Sequence, residues 1–259
     1  MSESVFRQIY KDVQRGNDVA PRGLKILELE NYGYTLHPWE RFVNFKSRKL
    51  NLKYIKTEFL WYLKGDKFDV SIADHAKIWK GTINEDGSIN SNYGQYVFGT
   101  QQQFNTVVDT LKEDKDSRRA SMMILSKEHL TSDRDVPCTY ALNFRIRKNK
   151  LKMTVRMRSQ DAIFGMGNDA ACFSFIHEMM LNALKEFYPE LEYGDYFHSS
   201  DSFHVYERHF EMLKKLADDD LYLPVYCPPI SGPDEVKFLR ALEFDNIPDE
   251  YLFTRWLTT

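Results

Sequence analysis

The stretch Pro137-Cys-Thr-Tyr-Ala-Leu-Asn-Phe-Arg-Ile-Arg-Lys-Asn-Lys150-Leu-Lys-Met-Thr-Val-Arg-Met-Arg158-Ser-Gln-Asp161-Ala-Ile-Phe-Gly165-Met-Gly-Asn-Asp169 decides how the chain folds. Tyr140, Leu142, Phe144 and Ile146 alternate with Asn143, Arg145 and Arg147; Lys148-Asn149-Lys150 turns, and Leu151, Met153, Val155 and Met157 alternate on the return. A period of two with one apolar face predicts a half-buried β-hairpin. Chemistry sits at both of its ends. Cys138 enters after a proline, while Arg158-Ser159-Gln160-Asp161 and Gly165-Met166-Gly167-Asn168-Asp169 follow the second strand. A nucleophile, an anion-binding arginine and a carboxylate able to read a ligand's edge share one short span.

Working outward, Arg118-Arg119 opens a strand at Ala120 to Leu125, and Gln102 to Leu111 has a helical apolar pattern. Paired guanidinium forks suit a phosphate dianion, although arginines at a strand entrance also simply face solvent. The Gly/Asn/Ser/Asp-rich loop from Gly81 to Gly94 ends in Asn92-Tyr93-Gly94. Asp69 to Trp79 reads as a helix, and Leu50 to Leu63 as another, closed by Gly65-Asp66. In that helix Glu58 abuts Phe59, Leu60, Trp61 and Tyr62. It lies either on the polar face or inward, where desolvation would raise its pKa.

Val5 to Val13 predicts an amphipathic helix ending near Gly16, and Arg22 stands in the loop before Leu24-Lys-Ile-Leu-Glu-Leu-Glu-Asn-Tyr-Gly33. That run reads as strand, turn, strand. Beyond the hairpin, Cys172 to Phe187 predicts a core helix, Ser202-Phe203-His204-Val205-Tyr206 a short strand, and Glu207 to Leu216 a helix. The tail is proline-rich and then strand-like from Val236 to Leu242.

With 259 residues, 42% hydrophobic and 28% charged, the chain can bury one large core, and a single domain over 1–259 is expected. A net charge of -3 gives no basic field for a nucleic-acid polymer, so an anionic ligand must be held by local arginines. Three cysteines with no paired spacing suggest reduced thiols and no zinc site. No run of eighteen apolar residues occurs and the first ten residues carry no apolar core, so a cytoplasmic protein without a membrane partner is expected.

Taken singly, these residues have ordinary explanations: Arg22 as a solvated arginine, Cys138 as a structural thiol. In order, however, Glu58-Phe-Leu-Trp-Tyr-Leu-Lys-Gly-Asp, Ile78-Trp79, Asn92-Tyr93-Gly94, Asp116-Ser-Arg-Arg119, Pro137-Cys138, Arg158-Ser-Gln-Asp161 with Gly165, and His204-Val-Tyr206 form a pattern. With these motifs the chain resembles the thymidylate synthase family from about Arg22 to Phe210, and within it is most similar to the cytidylate hydroxymethylase branch. The resemblance implies an α+β fold, a large mixed β-sheet covered by helices, with the sheet forming a homodimer interface. It implies 5,10-methylenetetrahydrofolate as co-substrate, a nucleoside monophosphate as substrate and no metal.

By that resemblance Cys138 adds to C6 of the pyrimidine, so that C5 becomes a nucleophile, and Glu58 handles water and proton transfers. Arg22, Arg158 and Ser159 would hold the 5'-phosphate, with Arg118 and Arg119 supplied by the second subunit. His204 and Tyr206 would bind the sugar hydroxyl, Trp79 and Asp161 would face the folate, and Tyr93 would support the network near the cysteine.

Departures from the family pattern matter most for substrate. Synthases carry asparagine eleven residues after the phosphate arginine; counting from Arg158 reaches Asp169, with Asn168 as its rival. Uracil shows an N3–H donor and an O4 acceptor, and cytosine shows the reverse. A carboxylate with one shared proton satisfies the cytosine edge. Thr139 replaces the histidine that follows the nucleophile in synthases, and Gly167 replaces a proline. The expected activity is therefore a (deoxy)cytidylate 5-hydroxymethyltransferase acting on dCMP or CMP. Alternatives are a thymidylate synthase for dUMP, a cytidylate C5-methylase, and an inactive nucleotide-binding homologue.

Overall fold

The computed structural model describes residues 5–218 and 221–259. Among them a six-stranded mixed sheet organises an α+β fold. Its strands are β1 (Asn17–Val19), β2 (Ile26–Leu36), β3 (Ser121–Met123), β4 (Thr139–Arg147), β5 (Lys150–Asp161) and β6 (Glu192–Tyr206), in the order β1-β2-β6-β5-β4-β3. The expected hairpin is β4–β5, with Arg147 opposite Lys150. Lys148 and Asn149 both take positive φ, 50° and 56°, the backbone a tight two-residue turn demands.

Neighbouring strands are antiparallel except β5 and β6, which are parallel. Parallel strands need a crossover, and α5 (Gly165–Leu184) supplies it. This helix starts seven residues before the expected Cys172, so Gly165 to Asp169 forms its first turns rather than a loop. It is buried on nearly every side, which is why its sequence shows little amphipathic contrast. Phe173, Phe175, Ile176, Met179 and Met180 join one continuous core, each large side chain contributing about 1.5–3 kcal/mol on burial.

The remaining helices are α1 (Val5–Val13), α2 (Leu52–Lys64), α3 (Gly94–Val97), α4 (Gln103–Glu113), α6 (Phe210–Asp218), α7 (Pro233–Ala241) and α8 (Leu252–Thr258). Helix α2 begins where the Asn51 side chain accepts from Tyr54 N at 3.0 Å, and ends at Gly65 with φ 62°.

Three expectations fail for identifiable reasons. Residues 26–36 form one strand, not a hairpin: pairing with β6 continues through Asn31, whose φ is 53°, and Gly33 leaves room for the Phe197 ring. Asp69 to Trp79 is not a helix but two 3₁₀ turns, Ser71–Asp74 and Lys77–Gly81. Ala76 is extended between them, the Asp69 carbonyl accepts from Trp61 Nε1, and its carboxylate accepts from Ser71 N. Val236 to Ala241 belongs to α7, with Leu242 its left-handed cap at φ 59°; buried Glu235 accepts from Ser231 N and from both N and Oγ1 of Thr254, tying α7 to α8. Among the described residues no helix is long and apolar enough to cross a membrane.

Candidate active site

Cys138 lies one residue ahead of β4, and its carbonyl accepts from Arg158 N at 2.8 Å, so the hairpin register places the thiol beside the arginine. The Arg158 guanidinium donates to the carbonyls of Pro137 (3.0 Å) and Val136 (2.7 Å). The parallel β5–β6 register then sets Ser159 against Ser202 and Asp161 against His204. On the other flank of β6, Glu28 faces His204 and Ile26 faces Tyr206. His204 and Tyr206 meet edge to face at 5.0 Å. Arg22 sits in the 3₁₀ turn Pro21–Gly23 with φ 53°, a left-handed conformation uncommon outside glycine. Its charge is felt at both Cys138 and His204. The registers thus bring Arg158 to the thiol and His204 to Asp161, and the charge of Arg22 reaches both Cys138 and His204.

Burial pushes the Cys138 thiol above its ordinary range; Asp169 and Asp135 add to this, while Arg158 and Arg22 pull it back. In the resting site the thiol form is therefore favoured, and cations near it promote the thiolate.

Behind the thiol stands a wall of acids and phenols. Glu58 is 5% exposed, and its pKa is pushed up to about 8, first by burial and then by the charge of Asp169. Hydrogen bonds from Tyr54 and from Tyr62 (3.4 Å) oppose the rise. Trp79 Nε1 donates to the Tyr54 hydroxyl at 2.7 Å, which links Trp79 through Tyr54 to Glu58. Tyr93 is buried, stacks on Phe173 at 5.8 Å, and faces Thr139, Cys138 and Asp169. Gly94 makes this packing possible: a Cβ there would lie 1.9 Å from the Tyr62 carbonyl oxygen.

Asp169, on the second turn of α5, accepts from Gln160 Nε2 at 3.2 Å. Burial raises its pKa to about 7, the Gln160 bond lowers it and Asp161 raises it. A helix turns about 100° per residue, so adjacent Asn168 points elsewhere. Asp169 is the residue of the two that meets Gln160 and is felt at Glu58, Tyr93 and Cys138. Asp161 holds the turn that enters α5: its Oδ1 accepts from Ile163 N at 3.2 Å, and its Oδ2 from Phe164 N at 3.1 Å and from Gly165 N, the first residue of the helix, at 3.4 Å.

Arg118 and Arg119 are not at this site. Ser121 pairs with Asn143, which carries Arg119 toward Arg145, roughly 20 Å along β4 from Cys138. There they line an open cavity of about 760 Å³ with Thr110, Glu113 and Asp116.

Sequence reasoning missed Tyr54, Gln160, Cys172 and Asp135. Tyr54 was findable, being one helical turn before Glu58, and Gln160 lies inside the quoted motif. Cys172 Sγ is 4.0 Å from Glu58 Oε2, and buried Asp135 fastens the loop before α3 by accepting from Ser91 N and Oγ. Among the described residues no group of His, Cys, Asp and Glu is arranged to hold a metal ion.

The thymidylate synthase family model matches residues 4–229. Over 175 residues the chain is 31% identical to the deoxycytidylate 5-hydroxymethyltransferases of Enterobacteria phages T6 and T4, covering 63% of this chain and 71% of each relative. It is 29% identical over 222 residues to the deoxyuridylate hydroxymethyltransferase of Bacillus phage SP01, covering 77% of this chain and 56% of the relative. A family match that runs from the first helix past β6, through every strand and both walls of the site, leads to one conclusion: this chain belongs to the thymidylate synthase family.

Proposed function

We propose that the protein is a folate-dependent transferase that hydroxymethylates C5 of a cytosine nucleoside monophosphate, dCMP or CMP, consuming 5,10-methylenetetrahydrofolate and water. The observation that carries the cytosine assignment is Asp169, a carboxylate eleven residues after Arg158, bonded to Gln160 and raised to about 7. Near neutrality it is present both with and without its proton, so it can donate to N3 and accept from the N4 amino group.

Cys138 is the nucleophile in this reading: Sγ bonds to C6 and the electron pair moves to C5. Arg158 and Arg22 favour the thiolate that attacks and, with Ser159, bind the phosphate, joined by Arg118 and Arg119 from the partner of a homodimer. Glu58, near 8, exists largely as an acid at neutral pH and exchanges protons with bound water at the base. His204 and Tyr206 hold the sugar, and Tyr93 orders the base side of the thiol.

The folate supplies the one-carbon unit at the oxidation level of formaldehyde. Residues on its side fit a flat, hydrogen-bonding partner: Trp79 is half-buried beside exposed Ile78, and Asp161 Oδ1 retains a lone pair after holding the entry to α5. A deoxyuridylate reading has one support, the resemblance to the phage SP01 enzyme.

The test incubates the protein with methylenetetrahydrofolate and dCMP, CMP or dUMP, weighs the product and follows dihydrofolate by absorbance. A hydroxymethylated cytosine nucleotide without dihydrofolate is expected. Turnover confined to dUMP, or release of dihydrofolate, overturns the proposal.

A further inference from the structure

Behind the Asp169 carboxylate two more side chains form a line. The Tyr34 hydroxyl on β2 donates to Gln160 Oε1 at 3.2 Å, and Gln160 Nε2 on β5 donates to Asp169 Oδ2 at 3.2 Å. Gln160 is 2% and Tyr34 6% exposed, so bulk water replaces neither bond. Tyr34 is itself fixed: its ring stacks on His198 at 5.0 Å and 7°, and the strand register sets the two residues opposite each other.

A glutamine amide has one accepting end and one donating end. With the phenol donating to Oε1, Nε2 faces Asp169 and can only donate. Oδ2 is then held as an acceptor, and the proton of a neutral Asp169 resides on Oδ1. A donor oxygen beside an acceptor oxygen matches N3 and N4 of cytosine in one orientation; without the amide the two oxygens become interchangeable and the pattern can invert to suit uracil. Besides Tyr34, the ionisable groups whose fields meet Asp169 are carboxyls, thiols and phenols: Glu58, Asp161, Cys138, Cys172, Tyr62, Tyr93 and Tyr196.

We propose that Gln160, oriented by Tyr34, is a positioning residue that decides which Asp169 oxygen donates and which accepts, and thereby sets the preference for a cytosine edge over a uracil edge. This rests on the assignment of Asp169 as the base-reading group.

The test measures Kd for dCMP and for dUMP by calorimetry across pH in the full-length protein, its Gln160→Leu, Tyr34→Phe and Asp169→Asn variants, with thermal melts alongside. Gln160→Leu is expected to reduce the dCMP:dUMP affinity ratio about tenfold, the loss of one hydrogen bond to a charged group. It should also move the pH dependence of dCMP binding upward, because the amide that favours ionised Asp169 is gone. Tyr34→Phe should shift the ratio the same way by about threefold, through the loosened amide. If Gln160→Leu does not fold, Tyr34→Phe, which deletes one hydroxyl, decides the matter. An unchanged ratio in these variants while Asp169→Asn alters it overturns the role of Gln160 alone. An unchanged ratio in Asp169→Asn overturns the base assignment, and the role of Gln160 with it.

Discussion

Arg158 grips the peptide that leads into Cys138: its Nε donates to the Pro137 carbonyl at 3.0 Å. The same guanidinium lowers the cysteine pKa against the larger effect of burial. One group therefore both places the thiol and tunes it.

Replacing Arg158 with glutamine should thus raise the Cys138 pKa further and reduce the thiolate present near neutrality. Alkylation of Cys138 by iodoacetamide, followed by mass spectrometry of its peptide, should slow by up to about tenfold, one pKa unit. An unchanged rate would mean that burial alone controls the thiol.

Glu58 gives the fold a pH signature. Its pKa rises from its ordinary 4.5 to about 8, so between those values the folded state keeps a proton that the unfolded chain releases. The stability it confers is complete below pH 4.5, falls as pH rises, and is lost by about 8. Glu58→Gln carries no titrating proton. Urea melts of wild type and variant should therefore diverge with rising pH, the variant gaining on the order of 5 kcal/mol relative to wild type across the window. Parallel curves would show that Glu58 ionises without cost.

Local pattern and long-range pairing explain what was readable in the sequence. The β4–β5 hairpin announced itself because both strands alternate about a short polar turn whose Asn149 tolerates positive φ. Helix α2 was equally legible from its apolar stripe and Gly65. Asn31-Tyr-Gly33, by contrast, carries a turn signal that pairing with β6 overrides, and no local window contains β6. In the candidate site, residue types marked Cys138, Arg158 and Asp169, yet only the folded chain shows Asp161 holding the entry to α5 and Arg119 at the far end of β4. Asp135 left no trace, since its role depends on a loop more than forty residues away.

Gly94 is a steric requirement, not a flexible link. A Cβ there would meet the Tyr62 carbonyl oxygen at 1.9 Å, and that atom belongs to the backbone of α2. Relief must separate α3 from α2, displacing Tyr93 and Tyr62 together. Gly94→Ala should destabilise the fold by about 3 kcal/mol, read as a lower urea midpoint. If the protein still folds, Cys138 alkylation should change as well, since Tyr93 faces that thiol. A variant with the wild-type midpoint would refute the close approach.

The separation of Arg119 from Cys138 along β4 makes a subunit-mixing experiment decisive. Arginines roughly 20 Å from the thiol cannot touch a phosphate held by Arg158 beside it. In the proposed homodimer they would do so by crossing an isologous interface into the partner's site. An Arg118→Glu/Arg119→Glu chain and a Cys138→Ala chain should each be inactive alone. When they are unfolded together and refolded in equal amounts, random pairing makes half the dimers mixed, and each mixed dimer has one site with every required group. About a quarter of wild-type activity should return. Arginines that served their own subunit's site would leave both sites of a mixed dimer defective, and no activity would return.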